Sequence, residues 1–167
     1  MTRFTIDPDE SQVWIEGSSS VHPVHATATG LEGWVDLTFA GANLRKDGEA
    51  MGEVRIAVDR LQSGNALVDR ETRRRIDARR FPRIVGVVTS SRRLAADRLE
   101  LSGDLSFRGE TQPVNGEVAV SRDGSRVIVE GQQRFDVRDW GLQPPKVAML
   151  RVHPHIDVRI RIVAESA

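Results

Sequence analysis

Cysteine is absent from the 167 residues. The chain therefore forms no disulfide, and thiol catalysis, thiolate zinc sites and iron–sulfur clusters are excluded. Net charge is missing too, because 24 Lys and Arg balance 24 Asp and Glu. No bulk field is available to hold the chain on nucleic acid or an anionic membrane. No apolar run approaches the ~20 residues of a membrane span. A secretory leader needs an apolar run of about 7–15 residues after a basic start. Here Asp7, Pro8, Asp9 and Glu10 interrupt any such run. The expectation from these absences is a soluble, cytoplasmic chain. A Gly-rich phosphate loop and a strand–Gly-x-Ser-x-Gly–helix nucleophile turn are lacking as well. Ser18, Ser19 and Ser20 precede His22 without that context. No catalytic constellation emerges, so the reading is of a protein that is not an enzyme and needs no cofactor.

What is present is two-residue alternation, the pattern of strands with one buried and one wet face. Val54, Ile56 and Val58 alternate with charged neighbours, as do Leu99, Leu101, Leu105 and Phe107. Val114, Val118 and Val120 form a third set, and Val127, Val129, Phe135 and Val137 a fourth. The longest runs from Val152 through Ile156, Val158, Ile160 and Ile162. Weaker runs at 13–21 and 35–39 and an apolar run at 84–88 bring the count to eight strands. Turn signals separate them at Asp47-Gly48, Ala95-Ala96-Asp97, Arg108-Gly109 and Asp123-Gly124. Short strands with polar turns and no internal break predict a single all-β domain over 1–167, an antiparallel sandwich or barrel. The segment Ser63 to Arg80 departs from alternation and is rich in helix formers. Ser63 or Asn65 can cap it, and Phe81-Pro82 ends it. One helix around 65–79 is predicted, inserted between the third and fourth strands as a lid or plug at one end of a barrel. Its acid-first pairs are Asp69–Arg73 and Glu71–Arg75.

The candidate functional residues fall into three groups. The histidines His22, His25, His153 and His155 form HPVH and HPH motifs that meet if the first and last strands pair. Imidazole ligates zinc and copper. His153 and His155 nevertheless share the polar face with Arg151, Asp157 and Arg159, so rim histidines compete with a metal site or small enzyme at that seam. The helix arginines Arg70, Arg73, Arg74, Arg75, Arg79 and Arg80 read either as a solvated face or as an anion patch. With no aromatics interleaved, they do not suggest base stacking, and no nucleic-acid partner is expected. The third group is the inward face itself, set with Gly17, Gly41, Gly103, Gly116 and Gly131. An eight-stranded barrel either fills with side chains or holds one small ligand. A filled barrel would leave an interaction module, its basic helix meeting an acidic partner.

The segments SGNALVDRETRRRIDARRFPRIVG, GDLSFRGETQPV and FDVRDWGL, with the opening FTIDPDESQVWIEG, together resemble the YceI-like family of bacterial proteins. The matching features are the Ser63-Gly64 turn, the Asp69-Arg70 helix, the Phe81-Pro82 strand entry, the Gly103–Val114 hairpin and the Asp139-Trp140-Gly141 turn. The resemblance implies a lipocalin-like barrel that binds a polyisoprenoid or fatty-acyl chain in its lumen; dimerisation occurs in the family, and a homodimer is a further expectation. On that reading Leu99, Leu101, Leu105, Phe107, Val118, Val129, Ile156, Val158 and Ile160 line the lumen. Arg70 and Arg73 are the candidates for a ligand's head group, and Trp14, Trp34 and Trp140 belong at the mouth or in the shell. Members of the family often carry a secretion signal, which MTRFTIDPDESQ does not resemble.

Overall fold

The structure is a computed structural model that describes residues 1–144, 146–147 and 150–167. Its strands are β1 (Thr2–Ile6), β2 (Gln12–Ser18), β3 (Pro23–Thr29), β4 (Glu32–Leu37), β5 (Phe39–Ala40), β6 (Asn43–Leu44) and β7 (Met51–Ala57). After the helix α1 (Ala66–Ile76) come β8 (Arg83–Ala95), β9 (Arg98–Phe107), β10 (Glu110–Asp123), β11 (Arg126–Asp136), β12 (Lys146–Val147), β13 (Leu150–Arg151) and β14 (His155–Ser166).

The main sheet is antiparallel and closes on itself. Its order is β1-β4-β7-β8-β9-β10-β11-β14, and β14 returns to β1 with Phe4 opposite Ser166 and Ile6 opposite Ala164. β2 pairs with the other half of β14, Ile160 facing Val13, and β3 lies beside β2. β1 with β2, and β3 with β4, thus act as two long strands, each broken once. The result is a closed eight-stranded antiparallel barrel with one helix; of the two all-β expectations, the barrel holds and the sandwich does not. The predicted tight turns occur at Arg108-Gly109 and, one residue later than expected, at Gly124-Ser125, where Phe107 faces Glu110 and Asp123 faces Arg126.

The break between β1 and β2 is repaired by a side chain. Ser11 is fully buried, and its hydroxyl accepts from Val163 N (3.0 Å) and donates to Val163 O (3.2 Å). It satisfies the backbone of β14 where the chain around Pro8 has left the ladder.

Alternation sorts the wall into two faces, as expected. Outside, arginines and acids pair across strands: Arg3 with Asp36 (2.8 Å), Arg134 with Asp157 (2.9 Å), and Arg92 with Glu100 (3.2 Å). Trp14 and Trp34 lie on this outer face under Arg159 and Arg3, 4.3 and 3.9 Å from their ring centroids. A barrel wall in contact with lipid would be apolar; this one is built for water. No helix among the described residues is long and apolar enough to cross a membrane.

Inside, the two ends differ. One end is packed solid by Phe4, Leu31, Leu37, Leu44, Leu99, Val120 and Val127. The β5–β6 hairpin covers it, with Phe39 edge-on to Phe4 at 6.1 Å. The other end is covered by α1. Asn65 caps the helix, its side chain accepting from Leu67 N and Val68 N. The helix stops at Ile76, earlier than predicted, because Asp77 adopts a left-handed conformation (φ 59°) and the Ala78 amide turns back to Arg73 O. Glu71 reaches Arg75 as expected, and also Arg74. Asp69 does not reach Arg73; its Oδ1 accepts the Ser63 amide and hydroxyl instead (2.9 and 2.6 Å).

Candidate functional site

Between the packed end and the helix lies a cavity of about 460 Å³, within the range of about 300–1,000 Å³ typical of small-molecule sites. The lumen is therefore not filled. Of the residues expected to line it, Leu101, Leu105, Phe107, Val118, Val129, Ile156, Val158 and Ile160 do border this space. They are joined by Val13, Ile15, Val54, Ile56, Ile84 and Ile162 from the remaining strands. Leu99 is the exception. It shares the face of Leu101 but stands one step nearer the packed end, 3% exposed among the core residues. Gly17, Gly103, Gly116 and Gly131 lie along the cavity, whereas Gly41 sits in the β5–β6 turn with φ +66° and nothing close to it.

The helix end of the cavity is a second small core. Val58, Ile76, Val137 and Leu142 are buried there, with Phe107 and Ile156 against them. Trp140 is wedged between Phe107 and Phe135, at ring separations of 5.6 and 5.8 Å, and donates its indole N–H to Leu105 O (2.8 Å). Three of the segments quoted for the family resemblance, the helix, the hairpin and the Asp-Trp-Gly turn, converge here. Arg108, at φ 57° in the β9–β10 turn, donates to Arg75 O (3.0 Å) and so caps the C-terminal end of α1. Gln112 of the same hairpin donates to Asp139 O (3.0 Å). Helix, hairpin and Asp-Trp-Gly turn are thus one assembly that closes the cavity.

A model of the YceI-like domain matches residues 4–164. The chain belongs to the YceI-like family. Among solved structures, a polyisoprenoid-binding domain from Saccharophagus degradans, described as implicated in plant cell wall breakdown, is 15% identical with a TM-score of 0.80 over all of both chains. BcnA from Burkholderia cenocepacia is 14% identical with a TM-score of 0.78, over 95% of this chain and 99% of its own. A YceI protein from Campylobacter jejuni is 9% identical with a TM-score of 0.69, over 85% and 84%. At such identities the likeness is one of fold. No curated protein matches.

The YceI-like lumen is not uncharged throughout, as a reading of the strands alone suggests. Ser63, Asp69, Thr72 and Arg73 make a polar island on the helix side of a mainly apolar wall. Gln133, on the inward parity of β11, also borders the cavity; its carboxamide lies over Gly116, with no hydrogen-bond partner among the described residues. Sequence reading passed over it because a glutamine in an alternating strand is ordinarily on the wet face.

The first and last strands do meet at the histidine seam, where Ser19 bridges Val152. The histidines nevertheless take separate partners. His153 Nδ1 is 2.9 Å from Ser18 Oγ, His22 Nδ1 is 2.8 Å from Pro23 O, and His25 lies 3.9 Å from Glu16. His155 lies 3.5 Å from Asp136. Among the described residues no three His, Asp or Glu side chains gather as metal ligands do. His153 is exposed and also borders the cavity; Pro154, outside the ladder, separates it from His155, so strand parity does not relate the two.

Beside this seam, Arg138 hydrogen-bonds the Asp136 carboxylate (2.7 and 3.0 Å) and holds its pKa at about 2, with His155 nearby adding to the effect. A folded-state value below the unfolded ~3.9 stabilises the fold above about pH 4; that stability is lost as pH falls towards 2. Asp136→Asn keeps an oxygen for the Arg138 amide but not the charge. Its stability, followed by denaturant titration from pH 5 to 2, should decline less steeply than that of the parent. Parallel curves would show that the ion pair contributes nothing.

Proposed function

We propose that this chain binds a long apolar ligand, an isoprenoid or fatty-acyl chain, within the barrel, and sequesters it from water without making or breaking a bond. One observation carries the reading: a cavity of about 460 Å³ walled by aliphatic side chains from strands all around the barrel. Each methylene moved from water into such a space contributes about 0.8 kcal/mol, so a chain is favoured over a compact polar metabolite. The Saccharophagus degradans neighbour, described as polyisoprenoid-binding, supports the same class of ligand.

Native mass spectrometry of the protein as purified, before and after organic extraction, tests this. The expected spectrum shows a mass excess of a few hundred daltons that leaves with the solvent. A bare chain that also fails to take up added farnesol or hexadecanol would overturn the reading.

A further inference from the structure

The helix α1 carries four arginines, and they divide into two pairs. Arg74 and Arg75 are both held by Glu71, at 2.9 and 3.0 Å. Arg70 and Arg73 have no ion pair or hydrogen bond among the described residues. The Nε of Arg73 is shut off from water and unpartnered. A guanidinium N–H in that state costs free energy that a bound acceptor would restore. Of the two carboxylates four residues from Arg73, Asp69 is turned to Ser63 and Asp77 lies 3.7 Å from Arg80.

Position gives this unpaired charge a use. Arg73 borders the lumen beside Thr72 and Ile76, and it also borders a second recess lined by Gln62, Gly64, Ala66, Asp69 and Arg70. The two arginines of the helix without a protein partner, the exposed Arg70 and the partly buried Arg73, are thus the two that border the recess, and Arg73 stands where recess and lumen meet. A guanidinium offers a planar fork of donors that suits a carboxylate or a phosphate.

We propose that the ligand is an amphiphile with an anionic head, its chain in the lumen and its carboxylate or phosphate held by Arg73, with Arg70 at the rim. This rests on the lumen being the binding site. A neutral chain would leave Arg73 as it is; an anionic one supplies the missing partner.

The test uses two matched pairs, hexadecanoate with hexadecanol and farnesyl phosphate with farnesol, measured by titration calorimetry on the delipidated protein. At least one anionic member should bind about ten- to hundredfold tighter than its alcohol, the range for hydrogen bonds to a charged group. In Arg73→Gln that ratio should fall towards one. Arg70→Gln should reduce it less, and serves as a second reading should the Arg73 variant not fold. Equal affinities for anion and alcohol in the parent would overturn the head-group assignment and leave the lumen reading standing. So would a ratio that survives in folded Arg73→Gln. Failure of all four compounds to bind would overturn both.

Discussion

Leu101→Arg should abolish binding of apolar chains, by about a hundredfold or more, in a barrel that still folds. Leu101 faces the cavity from β9, with Gly86 and Leu105 along the same wall. A guanidinium placed there must either lie across the space the ligand occupies or be desolvated by it, and an unpaired charge covered by hydrocarbon costs several kcal/mol. A hundredfold loss corresponds to only about 2.7 kcal/mol. The folded state is spared because the cavity gives the new side chain room. Circular dichroism and a thermal midpoint establish the fold; fluorescence displacement or calorimetry with farnesol reads the affinity. Unchanged affinity in a folded variant would remove the lumen as the site. Leu99 supplies the contrast. Two residues earlier on the same face, it is packed with Phe4, Val120 and Val127. Leu99→Ala should act on stability, lowering it by about 2–5 kcal/mol.

That pair shows what alternation can and cannot convey. Parity assigns a side chain to a face, and Leu101, Leu105, Phe107, Ile156, Val158 and Ile160 all border the cavity. It carries no information about height along the barrel, which depends on where the β5–β6 hairpin and α1 cover the ends. Leu99 therefore reads as lumen in the sequence and is core in the structure. His153 fails for a related reason, since parity survives only while the strand is continuous and Pro154 interrupts it. Ser11 and Gln133 were illegible because a polar residue inside a barrel is recognised by what it faces: Val163 in the first case, Gly116 in the second. The helix was visible in composition, but its end was not. A left-handed Asp77 is a tertiary choice that propensity does not announce.

The glycines divide in the same way, and the division predicts a large stability effect at one of them. Gly33 on β4 lies opposite Val54 on β7, at φ +137°. A Cβ at this position would sit 1.9 Å from Glu53 O and 2.9 Å from its carbonyl carbon. Those are backbone atoms of the neighbouring strand, so no rotamer change relieves the overlap; the β4–β7 ladder must open. The dihedral adds strain of its own, of order 1–3 kcal/mol for a residue with a Cβ. Gly41 has a positive φ as well, but nothing within 4 Å. Gly33→Ala should accordingly lose about 3 kcal/mol or more, a fall in thermal midpoint on the order of 10 °C for a domain of this size. Gly41→Ala should lose about 1 kcal/mol, the cost of the conformation alone. Equal losses at the two sites would mean that dihedral strain alone sets the cost, and that the close approach of β4 to β7 does not constrain the barrel. A larger loss at Gly33 would show that the seam beside β1, where the barrel closes, depends on a residue without a side chain.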